Sequence, residues 1–368
     1  MAKIVYLLGA GASYGKRDEK TPIKELRSKQ DVLGGSNIIG KYANITEGLP
    51  LVTEIPGRLA FIIDKITNCP CSSKVRNQIF PLGSNGGTGF DTAKKMLVQD
   101  LTWLKTASEG HATIDTFAKK LFLKGQLKNF NKVESLLSIY FIIEQAINKI
   151  DGRYDTFLAS VLNTQLNIDD RITILTWNYD SQFEIAYKEY GEQKDSIGIR
   201  RKLGIADLKD QSYDTRNQIF KLNGTANFMS HIDLNRHKQL DEVLLTELLD
   251  EYIKGYNEDV SNSRISFAWD NGKYMSKNFD DALQTAIQDA ETLVVIGYTF
   301  PFFNREVDRN IFAKMPNLKR IYIQDPNAEQ IKSSLDSLYS TNHTKVTHIN
   351  NNVFTITNPT QFYLPPEL

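Results

Sequence analysis

Little in this sequence points toward a membrane, a polyanion or an oxidising compartment. Its 368 residues hold two cysteines, Cys69 and Cys71, in a Cys-Pro-Cys run. That spacing is wrong for Cys-x-x-Cys redox chemistry, and no second pair exists to complete a zinc site, so no metal is expected. No apolar run approaches the roughly 20 residues of a membrane span. Neither sign of charge dominates: 44 basic residues meet 44 acidic ones. No overall field therefore favours nucleic acid or an anionic surface, and clusters such as Arg200-Arg201-Lys202 read as solvated faces. Lys3 before a short apolar stretch imitates a secretory signal, but the apolar core is short and nothing else looks secreted. A reduced, cytoplasmic protein is the expectation.

What is present is core material, 41% hydrophobic, enough for one large domain or two ordinary ones. The organising stretch is Met1–Ser13. Ile4-Val5-Tyr6-Leu7-Leu8 breaks into Gly9-Ala10-Gly11-Ala12-Ser13, which reads as a strand buried on both faces and a sharp turn. Small residues there let a phosphate approach backbone N–H groups. Two common phosphate loops fail by spacing. GxGxxG needs glycine where Tyr14 stands, and a Walker A loop ending at Gly15-Lys16 needs glycine at Ala10 and Ser or Thr at Arg17.

Gly15–Glu47 is polar and aperiodic, the pattern of a lid, a binding loop or a disordered segment. Helical spacing is seen over Val52–Thr67, Phe90–Thr106, Ile114–Leu123, Val133–Ile150 and Arg153–Leu166, with Gly83–Gly89 as a flexible break. Asp115 and Thr116 cap the helix at 114 or point into a cleft. Strand patterns follow at Ile172–Thr176, Gln218–Leu222, Arg264–Trp269, Leu293–Ile296, Arg320–Ile323 and Lys345–Ile349. Helical ones lie between them at Ser181–Tyr190, Gln239–Lys254, Phe279–Asp289, Val307–Ala313 and Asn327–Leu338. Alternating strands and helices predict an α/β fold, a Rossmann-like parallel sheet with helices on both faces. The expected organisation is one domain over 1–368, with a helical insertion at about 84–166.

Ligands of open parallel sheets bind at the carboxyl ends of strands. Here those ends are polar or small: Thr176-Trp177-Asn178-Tyr179-Asp180, Asn223-Gly224-Thr225, Gly297-Tyr298-Thr299 and Gln324-Asp325-Pro326. With the first loop they describe one polar rim suited to a nucleotide. GAGAS at 9–13, Gly48-Leu49-Pro50, Trp177–Asp180, Lys221-Leu222-Asn223-Gly224-Thr225 and Val295–Thr299 resemble, in that order, the SIR2-like family. The branch is the bacterial one that includes NAD-consuming anti-phage effectors. The match spans roughly residues 1–330, with Ile114-Asp115-Thr116-Phe117 supporting its middle.

That resemblance implies that NAD+ is the substrate, with Gly9, Gly11, Ala12 and Ser13 at the pyrophosphate. It implies Gly297, Tyr298, Thr299 and Asp325 toward the adenosine, with Pro50, Asp115 and Thr176 also in the cofactor site. Asn178 matches a catalytic asparagine and Asp180 its acidic support. An amide can position water while a carboxylate stabilises a cation-like ribose carbon. The family's general-base histidine falls at Asn223, which cannot take a proton near neutral pH. Three readings stay open: an exchange that traps bound NAD+, catalysis by positioning alone, or binding without cleavage. His231 and His111 are the other histidines considered as a base.

The expected function is a gated NAD+ glycohydrolase, releasing nicotinamide and ADP-ribose in anti-phage defence. A sensor subunit and a homo- or hetero-oligomer are the partners this implies, with no membrane or nucleic acid. Alternatives are a non-catalytic NAD-binding sensor or scaffold, and a protein deacylase, which two cysteines equip poorly because such enzymes carry a four-cysteine zinc module. A dehydrogenase lacks its third glycine.

Overall fold

The computed structural model describes residues 3–22, 43–82, 86–210, 216–257, 261–270, 277–339 and 352–368. The chain divides into two compact units, one of residues 1–13, 151–225 and 266–368, the other of 14–150 and 226–265.

The first unit is built on seven strands: β1 (Lys3–Leu8), β2 (Ile172–Thr176), β3 (Ile205–Asp207), β4 (Ile219–Lys221), β5 (Ala290–Ile296), β6 (Arg320–Gln324) and β7 (Val353–Ile356). They form one sheet in the order β7-β6-β5-β1-β2-β4-β3, every pair parallel. The chain fills one side of β1, then crosses back and fills the other. Strand order therefore reverses at β1, where such folds place ligands.

Both faces of β1 are buried, as its unbroken apolar run predicts. Val5 and Leu7 join Leu293, Val295, Ile321 and Ile323 in a core with Phe279 and Leu283 of α4 (Lys277–Ile287), Ile311 and Phe312 of α5 (Arg305–Ala313) and Ile331 and Leu335 of α6 (Ala328–Tyr339). On the opposite face Tyr6 meets Phe157 of α1 (Gly152–Val161) edge-on at 5.0 Å, and Phe157 meets Phe183 of α2 (Gln182–Tyr187). Each such side chain contributes about 1.5–3 kcal/mol on full burial. The remaining helix, α3 (Ser196–Lys202), precedes β3.

The expected helix over Ile114–Leu123 forms over those residues, but its N-cap is Thr113, whose hydroxyl accepts from the Thr116 N–H, rather than Asp115 or Thr116. Of the strand expected over Arg264–Trp269 only Arg264 and Ile265 are extended, in Ser263–Ile265 outside the seven-stranded sheet, and Ala268–Asp270 is a 3-10 turn. Gly86–Gly89 is paired antiparallel with Ile79–Leu82 instead of being a free break. Lys16–Pro22 and Ala43–Glu47 also pair, so the ends of the polar segment are a two-stranded ribbon, while its middle lies outside the described residues, as does the strand expected at Lys345–Ile349.

The second unit is mainly helical, with Ile55–Asn68, Phe90–Glu109, Ile114–Leu123, Leu127–Ile147 and Glu242–Asn257. Leu127–Ile147 is buried on nearly every side. It carries Glu144, which accepts two hydrogen bonds, 2.8 and 2.7 Å, from buried Arg58. A pair this dry is weak support for stability, yet removal of one partner leaves a naked charge.

Candidate functional site

Register sets the site. Leu8 pairs with Ile296 on one side and Thr176 on the other, Thr176 with Lys221, and Ile296 with Gln324. The strands β1, β2, β4, β5 and β6 therefore end in one row. The residues next beyond it include Gly9, Trp177, Leu222, Gly297 and Asp325.

The small residues of the first loop are explained by what presses on them. A Cβ at Gly9 would lie 2.6 Å from the Gly297 carbonyl oxygen, and one at Gly11 would lie 2.7 Å from the Gly297 Cα. The loop N–H groups of Gly9, Gly11 and Ala12 donate to Ile296, Gly297 and Gly9 carbonyls at 2.9–3.0 Å. The loop's carbonyls are held as well. Arg153 of α1 donates from one terminal nitrogen to the Gly11 and Ala12 oxygens at 3.1 Å, and its guanidinium chelates Asp151. Lysine cannot make this fork. Arg153→Lys is expected to destabilise the protein by about 1–2 kcal/mol in urea unfolding, the scale of a lost charged hydrogen bond.

Ser13, at the loop's end, has one proton and two lone pairs. Its Oγ donates to the Asp180 carboxylate at 2.6 Å and accepts from the Asn178 Nδ2 at 3.0 Å. The Tyr154 hydroxyl, 2.7 Å away, is left as the second donor. Burial pushes the Tyr154 phenol well up, so it keeps its proton. Asp180 is also pushed up by burial, against the opposing pull of the Lys221 ammonium and the Ser13 hydroxyl. Lys221, itself buried, donates to the Asp180 carbonyl.

This network orients Asn178. Its second amide hydrogen goes to the Gly9 carbonyl at 2.8 Å, and its backbone N–H to the Thr176 hydroxyl at 3.0 Å. Both side-chain hydrogens are taken by acceptors, so the amide cannot be flipped without losing both bonds. The carboxamide oxygen makes no hydrogen bond among the described residues and is presented as an acceptor. Asn223, beyond β4, repeats the pattern. Its Nδ2 donates to the Trp177 carbonyl at 3.2 Å, and its buried Oδ1 has no partner among the described residues. An unpaired buried acceptor costs about 1–3 kcal/mol, which a hydroxyl donated by a ligand removes.

Tyr298 points away from the rim. Its ring lies along Trp177 at 5.8 Å, and its hydroxyl donates to both oxygens of buried Asp308 on α5, 2.9 and 3.0 Å. Burial pushes the Asp308 carboxyl up to about 8, opposed by the Tyr298 hydroxyl. The folded protein thus holds a proton that the unfolded chain releases near pH 4. This contribution is full below pH 4 and is lost as pH rises through about 8, by up to ~1.4 kcal/mol per unit. Asp308→Asn is expected to flatten that slope in urea unfolding between pH 5 and 8.5.

Thr299 is exposed at the rim. Asp325 accepts from the Asn327 N–H at 2.8 Å and so caps its own turn. The first unit thus gathers Gly9, Gly11, Ala12, Ser13, Thr176, Asn178, Asp180, Asn223, Gly297, Tyr298, Thr299 and Asp325. Pro50, Asp115, His111 and His231 belong to the second. There Pro50 is buried, and burial pushes the half-buried Asp115 carboxyl up to about 6. The His111 Nδ1 is engaged by the Ala107 carbonyl at 2.7 Å. Arg153, Tyr154, Lys221 and Asp308 carry much of the site's order; Lys221 opens one of the quoted motifs, and no motif announced the other three. Asp151 as an N-cap was the one local signal near the first two.

Among the described residues no group of three or more His, Cys, Asp or Glu could hold a metal, and no helix is long and apolar enough to cross a membrane. Residues 172–346 match the family model of the SIR2-like domain. The match begins at the first residue of β2 and includes Asn178, Asp180, Asn223 and Gly297. Over those residues the chain is similar to SIR2-like domains. No curated protein matches the chain.

Proposed function

We propose that this protein binds NAD+ at the carboxyl ends of β1, β2, β4 and β5 and hydrolyses it to nicotinamide and ADP-ribose. The observation that carries the reading is the pair of asparagines. Asn178 and Asn223 each have the amide nitrogen tied to backbone and the amide oxygen left as an acceptor. Two fixed acceptors suit the hydroxyls of a ribose or an attacking water.

When the bond between ribose and nicotinamide breaks, its electron pair leaves with the nicotinamide and the ribose carbon becomes cation-like. Water then adds to that carbon and loses a proton to solvent. Asn178 positions the hydroxyl or water, and the buried Asp180 carboxylate behind Ser13 favours positive charge nearby. Gly9, Gly11, Ala12 and Ser13 lie beside the pyrophosphate in this reading, and Gly297, Thr299 and Asp325 toward the adenosine. Thr176 completes the cofactor set of this unit. No general base stands at 223, so turnover is slow until a partner or assembly change completes the site. A gated NAD-depleting effector of anti-phage defence, cytoplasmic and paired with a sensor subunit, fits such an arrangement.

A second reading has one specific support: an amide at 223 binds but cannot accept a proton. It makes the chain an NAD-sensing or scaffold subunit. Incubation of the purified protein with NAD+, alone and with candidate partner chains, separates the two. Nicotinamide release that disappears in Asn178→Ala is the expected result. Absence of nicotinamide under every condition, Asn223→His included, would contradict hydrolysis.

A further inference from the structure

A carboxyl group lies behind the site where no salt bridge reaches it among the described residues. Asp308, 1% exposed, accepts both of its side-chain hydrogen bonds from one donor, the Tyr298 hydroxyl. Asn304 donates to the same phenol oxygen at 3.0 Å. The Tyr298 ring is nearly parallel to that of Trp177, at 20°, and meets Phe300 edge-on at 4.9 Å. Phe300 has φ +52, a left-handed conformation that a bulky residue adopts only where its surroundings impose it. Trp177 in turn is a junction. Its N–H donates to the Leu8 carbonyl, its carbonyl accepts from Asn223, and the next residue is Asn178.

We propose that Asp308 is a positioning residue: through the Tyr298 hydroxyl it sets the pose of the Tyr298–Trp177 stack and hence of the Asn178 and Asn223 carboxamides. From α5 the links are the Asp308–Tyr298 hydrogen bonds and the Tyr298–Trp177 ring contact, then a hydrogen bond from Trp177 to Asn223 and the peptide bond from Trp177 to Asn178. Ionisation changes what Asp308 asks of Tyr298. A carboxylate can only accept, and the phenol is its one donor. A neutral carboxyl can return a proton to the phenol oxygen. Among the described residues the Tyr298 phenol is the titratable group that bonds Asp308, Asn304 is neutral, and Ile311 and Phe312 of α5 face an apolar core. The stack therefore has two hydrogen-bonded states, exchanging with the midpoint of the acid, about 8.

The effect on turnover rests on the NAD+ reading, but the stack can be followed without NAD+. The test is the indole N–H spectrum of ¹⁵N-labelled full-length protein from pH 6 to 9.5. Its three tryptophans give three signals, with Trp177 identified by its loss in Trp177→Phe. The Trp177 signal is expected to move with a midpoint near 8 and to stay fixed in Asp308→Asn. Tyr298→Phe, which keeps the ring and removes the hydroxyl, is expected to abolish the movement too, and it serves if the first variant folds poorly. A Trp177 signal that does not titrate, or that titrates unchanged in both variants, overturns the proposal. Where NAD+ is cleaved, Asp308→Ala should lower kcat roughly 2- to 30-fold, the range of couplings through packed networks, with restoration in Asp308→Asn at pH 7. Loss of nicotinamide release alone, with the Trp177 titration intact, would count against the NAD+ reading and not against this one.

Discussion

Gly297→Ala is expected to destabilise the protein by about 2–5 kcal/mol, a large share of the stability of an ordinary domain. Two terms add. Gly297 has φ +60, where an alanine costs roughly 1–2 kcal/mol. Its Cβ would also lie 2.4 Å from the Ala12 nitrogen and the Gly11 carbonyl carbon. These are backbone atoms that cannot swing aside, and overpacking of that kind adds about 1–3 kcal/mol. Gly125→Ala is the control, because φ is +68 there but nothing lies within 4 Å of the added carbon. Urea unfolding of both variants should show the small loss at 125 and the large one at 297. Equal losses would mean that the two loops are not pressed together as described.

Asn223→His is expected to raise NAD+ cleavage by about 10²–10⁴-fold, the usual worth of a general base. The side chain stands one residue past β4, its nitrogen on the Trp177 carbonyl and its oxygen unpaired. A histidine donating from one ring nitrogen to that carbonyl would leave the other unprotonated. That nitrogen can then take the proton that Asn223 cannot. Nicotinamide release by the two proteins, compared across pH 6–8, checks it. The variant should gain activity as its imidazole loses its proton. An unchanged rate would favour the reading of a binding subunit.

Strand ends were the legible part of the site. An apolar run stopping at a glycine or a polar residue marks a parallel strand and its carboxyl end, so β1, β2, β5 and β6 and the rim above them could be read directly. The roles of individual residues were less legible, because they depend on what a loop presses against. Gly9 and Gly11 suggest room for a phosphate, yet each touches the Gly297–Tyr298 backbone. Tyr298, in a motif suggestive of a ligand, turns its hydroxyl to Asp308. Arg153 and Tyr154 sit on a helix 141 to 142 residues from the loop atoms they bond, and no local pattern can announce such a contact. Short edge elements such as β3 were missed because three residues carry no periodicity. The paired strands Lys16–Pro22 and Ala43–Glu47 form from largely polar residues that lack an apolar alternation.

In the proposed function Asn178 is a fixed acceptor for bound NAD+. Calorimetric titration of NAD+ into the unmodified protein and into Asn178→Ala tests this most directly, since it requires no turnover. Saturable binding at one site, weakened by about tenfold or more in the variant, is the predicted result, equivalent to roughly 1.4 kcal/mol for the lost hydrogen bond. Absence of saturable binding, or equal affinity in the two proteins, would contradict it.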